Sequence, residues 1–391
     1  MIRWLQLDNF KAYQGTGRVP IAPLTVLVGA NGSGKTTLLH ALDMIGGLTR
    51  GTLKEPLTAN GWDYGDLPHL LSESKRFGVE VGLEFEGFAP IEWSLELETR
   101  RRPGIADETV RADEGDSLRV LASRTGRSMY RVDPEEAVEK VTQTLTSSWL
   151  STIDPRRDAA RYPELSRVAS WARGIRGYYF LDPRALRRSS QGSDELGTSG
   201  ERLAGYLGRI VSRDAKALGR ITARVKAHYP RLTELQVKRG KYGWSNLIAH
   251  ERWGRKTVPF NARQVSDGLL RLITVAALHE VKPLPSLMLF DEVENGLHPR
   301  LLDGLMTMLQ ELVDEARGAT QVVLTTHSPI ALNYVRDPAQ VIVVHRDEDG
   351  VAQATPMPQA EGFERLRRHL QLGELWYNVG EDRLFARKTG S

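Results

Sequence analysis

Cysteine is absent from all 391 residues, which excludes disulfides, a thiol nucleophile and cysteine-ligated zinc or iron–sulfur sites; any metal must be held by oxygen or histidine ligands. No apolar run approaches the length of a membrane span. The opening MIRWLQLDNF brings charge and an Asn too early for a secretion signal, so the expected compartment is the cytoplasm, with no membrane partner. Aromatic residues make up only 7%, against 40% hydrophobic and 26% charged residues, an ordinary balance for a folded chain long enough for a large domain with an insertion. The net charge of +4 is not evenly spread. Residues 101–260 carry 31 Lys and Arg against 19 Asp and Glu, a net +12, leaving 22 against 30, a net −8, elsewhere. Two readings stand for that basic middle: a surface for nucleic acid or an acidic partner, or a solvated arginine-rich face.

What is present is sharper. Gly29 to Thr37 read GANGSGKTT, a complete GxxxxGK[ST] phosphate-binding loop directly after the apolar run Leu24 to Val28. Gly29, Gly32 and Gly34 let the backbone turn its amides toward a polyphosphate, and the helix that follows aims its positive N-terminus at the same place. Asn31, Gly32, Ser33, Gly34, Lys35, Thr36 and Thr37 are therefore candidates for nucleotide binding. Lys35 is expected on the β- and γ-phosphates and Thr36 on magnesium. The apolar strand Leu287 to Phe290 ends in Asp291-Glu292, which offers one acid for the magnesium shell and one as base for water.

Strands are expected over 2–7, 78–85 and 91–97, the last two as a hairpin in an antiparallel sheet. From about residue 101 the pattern turns loop-rich and helical. Asp133-Pro134-Glu135-Glu136 is a capping signature for a helix with Val138, Val141, Leu145 and Trp149 on one face. A Gly/Ser-rich linker spans 189–200, a helical zone 203–228, and strands 232–237 and 244–251. Beyond Val265 helices and strands alternate, as in a mainly parallel sheet covered on both faces. The expected fold class is α/β, a head over 1–100 and 231–391 with a mainly helical basic insertion over 101–230.

Three further segments surround the Asp291-Glu292 strand: Val265-Ser266-Asp267-Gly268-Leu269-Leu270-Arg271, Glu294-Asn295-Gly296-Leu297-His298-Pro299 and Thr325-Thr326-His327-Ser328-Pro329. In order and spacing the chain resembles the P-loop ATPases of the ABC type: signature loop, Walker B, D-loop and switch histidine. The SDG form of the signature, ENGLHP and TTHSP narrow the resemblance to the RecF, SMC and OLD group, and within it to OLD-like AAA-type ATPases of bacterial phage-defence loci. It covers about residues 1–100 and 231–345, and is weak over 101–230 apart from Tyr178 to Pro183 and Gly200 to Leu207.

The resemblance implies ATP and magnesium as cofactors and a homodimer or higher homo-oligomer with ATP sandwiched between heads. Ser266 and Gly268 would serve nucleotide on the opposite subunit, His327 would contact the γ-phosphate, and Glu292, His327 and Lys35 form the catalytic set. It also implies an approach of Lys11 to the nucleotide. His298 is either a helix cap or a dimer contact. Asp267 departs from the glycine of transporter ATPases. No Gln lies between Thr37 and Glu98 for the family's Q-loop, with His69 as the substitute considered. OLD-type nucleases carry a TOPRIM domain after the switch histidine, whereas 64 residues (391 − 327) follow His327 here, so cutting is expected of a separate effector, a nuclease or toxin. A RecF-like clamp that binds DNA through the basic insertion is the alternative. A transporter ATPase is a third.

Overall fold

The structure is a computed structural model that describes residues 1–51, 53–100, 103–126, 128–132, 138–142, 146–179 and 181–384. Its centre is a six-stranded sheet in the order Ile175–Tyr179, Leu287–Asp291, Gln321–Thr326, Leu24–Val28, Val341–Arg346 and Ala352–Pro356. The first five run parallel and the sixth is antiparallel. Leu24–Val28, Leu287–Asp291 and Gln321–Thr326 are buried at every residue. That is why they read as unbroken apolar runs without alternation: a parallel strand is covered on both faces.

The two faces feed two cores. Leu24, Val26, Met288, Phe290, Val322 and Leu324 pack with helices Asp267–Leu278 and Pro299–Ala316. Leu27, Leu287, Leu289 and Val323 pack with helix Lys35–Arg50 and a long antiparallel sheet. That second sheet follows the order Val138–Thr142, Ser128–Val132, Leu118–Thr125, Gly104–Asp113, Ile91–Glu98, Arg76–Leu83, Ile2–Phe10 and Tyr13–Gly15, with Val19–Pro20 beside Ile2–Phe10. The expected strand pair 78–85 and 91–97 lies here, antiparallel as read. A third, small sheet joins Ser190–Gln191, Trp244–Trp253, Leu232–Arg239 and Lys256–Asn261.

Two expectations for 101–230 need correction. Val138–Thr142 is a strand paired with Ser128–Val132, and among the described residues no helix runs from there to Trp149; Asp133 to Glu136 and Leu145 lie outside the described residues. Three of its five residues, Val138, Val141 and Thr142, are β-branched, and the open edge of Ser128–Val132 offers hydrogen bonds that a local capping signature does not outweigh. The segment is also not mainly helical in its first part. Gly104–Asp113 and Leu118–Thr125 extend the antiparallel sheet, and Ile175–Tyr179 enters the parallel sheet beside the Asp291 strand. Helices Pro163–Arg173, Leu203–Arg213 and Ala217–His228 make up the rest. Near the C-terminus Glu361, Glu364 and Glu374 are exposed, and the side chains of Glu381 and Asp382 lie outside the described set.

Candidate functional site

Register brings the strand ends together. Val28 lies opposite Thr326, Leu324 opposite Phe290, and Asp291 opposite Tyr179, so residues scattered over some three hundred positions of chain emerge along one edge of the sheet. This is where an open parallel sheet gathers ligand-binding groups.

After Val28 the loop turns into helix Lys35–Arg50 through Gly34, whose φ of 119° is closed to a side chain. Gly29 is fixed by crowding: a Cβ there would stand 2.1 Å from the Val344 carbonyl oxygen. Lys35 donates from Nζ to the carbonyls of Gly29 and Ala30 at 3.0 and 2.8 Å, folded over its own loop. Ser33 Oγ is buried with no hydrogen-bond partner among the described residues.

Thr36 Oγ1 donates to Asp291 Oδ1 at 3.0 Å. Asp291 Oδ1 also accepts from Thr325 Oγ1 at 2.6 Å, and the same hydroxyl accepts from the Glu292 backbone N–H at 2.7 Å. One threonine thus ties both acids to the neighbouring strand. Glu292 has φ of +47°, an unfavourable conformation for a side-chain-bearing residue that its surroundings must hold. His327 Nε2 stands 3.8 Å from Glu292 Oε1, and the His327 amide donates to Glu294 Oε1. The other Glu294 carboxylate oxygen is buried with no hydrogen-bond partner among the described residues.

Thr36, Asp291 and Glu292 line an open cleft of about 850 Å³ together with His40, Asp43, Asn60, Trp62, Tyr179, Asp182 and Arg271. His40 and Asp43 follow Thr36 at helical spacing, so one face of the helix forms one wall. Lys11 stacks its ammonium over the Trp62 ring, 2.9 Å from the centroid. Burial lowers its pKa from 10.5 to about 8, with Asp66 opposing. Burial, then Lys11, lowers His40 from 6.5 to about 3, so its ring is neutral at physiological pH.

Ser266 caps helix Asp267–Leu278, its Oγ accepting from the Leu269 amide at 3.4 Å. Gly268 is set by close approach, since a Cβ would meet Leu301 Cδ1 at 2.5 Å. Neither residue lines the cleft against Thr36 and Asp291. His298 caps helix Pro299–Ala316 by accepting from the Arg300 amide at 3.3 Å. His69 is buried near the start of the antiparallel sheet, its amide donating to Asn9 and its Nδ1 accepting from Leu71, and it does not reach the cleft.

Sequence reasoning gave no role to three residues at this edge. Thr325 was visible in the TTHSP segment. Arg346, which donates from Nε to the Gly32 carbonyl at 2.8 Å, carries no motif and arrives only because its strand lies beside the phosphate-loop strand. Asp182 lies in the Tyr178 to Pro183 segment that resembles the family, but its place in the cleft follows only from the pairing of Ile175–Tyr179 with Leu287–Asp291.

A buried parallel strand running into a phosphate loop, a Thr–Asp–Thr–Glu chain of hydrogen bonds, a histidine beside the glutamate and a separately capped SDG turn define an ABC-type ATPase of the RecF/SMC/OLD group. The chain belongs to the family described as "AAA domain, putative AbiEii toxin, Type IV TA system", whose profile matches residues 24–333. Among solved structures, an Smc head domain with an extended coiled coil bound to the C-terminal domain of ScpA, derived from Pyrococcus furiosus, shares the fold at a TM-score of 0.55 and 16% identity, over 94% of this chain and 99% of that one. The SmcHead bound to the C-winged helix domain of ScpA does so at 0.54 and 17%, over 90% and 96%. At such identities the likeness is one of fold. Protein ea59 of Escherichia phage lambda is 38% identical over 73 residues, 19% of this chain and 14% of that protein. An OLD nuclease of Thermus scotoductus is 45% identical over 45 residues, 12% of this chain and 8% of that protein. The chain thus spans a small part of the curated relatives it matches. Among the described residues, no helix is long and apolar enough to cross a membrane.

Proposed function

We propose that this chain binds and hydrolyses ATP with magnesium, and that ATP-dependent pairing of two copies sets the state of a separate effector, a nuclease or toxin, in bacterial defence against phage. The observation that carries the reading is the continuous set Thr36–Asp291–Thr325–Glu292 at the foot of the phosphate loop. It joins a metal-side pair to a water-side acid within one chain. The Ser266 turn stands outside the cleft that Thr36, Asp291 and Glu292 line, which suits service to a nucleotide held by a second copy.

Thr36 and Asp291 supply hard oxygen donors, the set magnesium prefers. Among the described residues no three His, Asp or Glu side chains gather to hold a metal alone, so phosphate oxygens and water would complete the shell. When bound, magnesium would draw charge from the phosphate oxygens. The residues do the rest. Backbone amides of 29–34 and the N-terminus of Lys35–Arg50 receive the phosphates. Lys35 exchanges its two carbonyl partners for the β- and γ-phosphates. Glu292, steadied by Thr325, takes a proton from water, and His327 beside it meets the γ-phosphate. Ser266 and Gly268 of a second copy close the site.

Support for the effector and defence setting comes from the toxin–antitoxin wording of the family description and from the local likeness to an OLD nuclease and a phage protein. A RecF-like DNA clamp is the second reading. Residues 231–263, most of them in the small sheet, carry 8 Lys and Arg against 2 Glu. DNA-stimulated ATPase activity and binding that weakens steeply with salt would favour that clamp.

The deciding experiment on the shared core is Glu292→Gln. It is expected to keep ATP affinity, lose turnover and accumulate an ATP-bound dimer in sedimentation. Hydrolysis at the wild-type rate would remove Glu292 from its role, and absence of an ATP-dependent dimer would remove the sandwich.

A further inference from the structure

The strand Ile175–Tyr179 ends level with Asp291, and the chain leaving it builds a bridge. Asp182 lines the cleft against Thr36 and Asp291 and caps the short helix Pro183–Leu186 by accepting from the Arg184 amide at 2.9 Å. The next residue after that helix, Arg187, donates to the Val265 carbonyl at 3.1 Å and to the Asp267 carboxylate. Its guanidinium therefore grips the residue on either side of Ser266. A second pin lies deeper: buried Arg271, one turn into the signature helix, donates from Nε to the Leu181 carbonyl at 3.1 Å. The segment 181–187 thus follows a strand paired with the Asp291 strand, lines the metal side of the cleft with Asp182, and is fastened by Arg187 and Arg271 to the turn and helix that would serve a partner's nucleotide.

Asp267 makes the need for Arg187 specific. A carboxylate at the first position of the helix suits the helix dipole in an isolated chain. It opposes a γ-phosphate brought up to Ser266. Arg187 is the cation that offsets it and at the same time fixes the backbone of the turn, as a charge-assisted pair held at two points does.

Resting on the composite site proposed above, we propose that Arg187 is a positioning residue for ATP-dependent self-association. It holds Ser266 and the N-terminus of helix Asp267–Leu278 in place and screens Asp267 from the phosphates of the facing nucleotide.

The test uses the full chain in the Glu292→Gln background, with sedimentation in MgATP for pairing and a fluorescent ATP analogue at high dilution for affinity within one chain. Arg187→Ala is expected to weaken pairing by about ten- to a hundredfold, the range of a lost charge-assisted bond. Affinity of the single chain should stay within about twofold, because the phosphate loop is untouched. Arg187→Ala with Asp267→Asn is expected to regain most of the pairing, since the repelling charge is gone, and Arg187→Lys to fall between. A merely structural role for Arg187 would give no recovery with Asp267→Asn, and that result overturns the proposal. So does unchanged pairing in Arg187→Ala while the parent pairs. A parent that fails to pair overturns the ATP sandwich and this role of Arg187 with it.

Discussion

Thr325→Val is the most searching single substitution. Valine keeps the shape of threonine and deletes one hydroxyl that donates to Asp291 Oδ1 at 2.6 Å and accepts from the Glu292 N–H at 2.7 Å. The bond to the buried carboxylate is the charged type, worth about 1.5–3 kcal/mol, and the amide bond about 1. Against them stands the strain of Glu292 at φ +47°, about 1–3 kcal/mol for a residue in this region, which the freed backbone can relax. A net loss of about 1–2 kcal/mol in unfolding free energy is the expected balance, read by urea denaturation. Activity should suffer more than stability. Relaxation carries the Glu292 carboxylate away from its place, and a shift near 1 Å lowers turnover about a hundredfold. KM should stay within a few-fold, because Gly29 to Thr36 are not touched. Steady-state phosphate release gives both constants, and Thr325→Ser, which restores the hydroxyl, should recover most of kcat. Wild-type kcat in Thr325→Val, with Glu292→Gln inactive, would refute the reasoning that Thr325 sets Glu292.

Two titrations follow from the cleft. His40 ordinarily titrates at 6.5 and is held to about 3 in the fold, chiefly by burial; the unfolded chain therefore gains a proton first, and stability present above about pH 6.5 is lost as pH falls toward 3. By linkage the loss from this one group reaches about 2 kcal/mol at pH 5. His40→Phe, which keeps ring contact with Trp62 and Tyr179, should flatten the fall in melting temperature between pH 7 and 5; an equal slope in both proteins would refute the assignment. Lys11, lowered to about 8 by burial, should acylate with a rate that is half-maximal near pH 8, as read by peptide mapping. A profile still rising at pH 9.5 would contradict it.

The parts legible in the sequence are those whose physics is local. The phosphate loop needs its glycines at fixed offsets and a strand before it, and GANGSGKTT states that outright. Leu287 to Glu292 reads as a buried strand delivering acids because burial on both faces leaves no alternation. Helix Pro299–Ala316 begins on His298-Pro299, a start that is local in the same way, with Pro at its first position. The role of Thr325 was not legible, since its partners Asp291 and Glu292 lie more than thirty positions away and are brought near by the pairing of Leu287–Asp291 with Gln321–Thr326. The strand Val138–Thr142 failed for the opposite reason: a strong local helix signal lost to hydrogen bonds offered by a neighbouring strand edge.

Topology outweighs sequence distance at the place of a polar group that would stand for the Q-loop glutamine. The interval between Thr37 and Glu98 is where such a group is expected if the chain leaves the phosphate-loop helix and returns directly to the sheet. It does not return there. The chain spends residues 54–142 largely on a helix and the antiparallel sheet, and the strand that enters beside Leu287–Asp291 is Ile175–Tyr179. The cleft around Thr36 and Asp291 is therefore lined by Tyr179 and Asp182 from the end of that strand, together with Asn60 from the interval itself, while His69 stays with the other sheet. Because Asp182 and Arg187 belong to the same short segment, a carboxylate of the cleft and the cation on the signature turn are five residues apart in the chain. A long insertion between the phosphate-loop helix and that strand leaves this arrangement intact, since a parallel strand needs only to arrive in register, whatever length of chain precedes it.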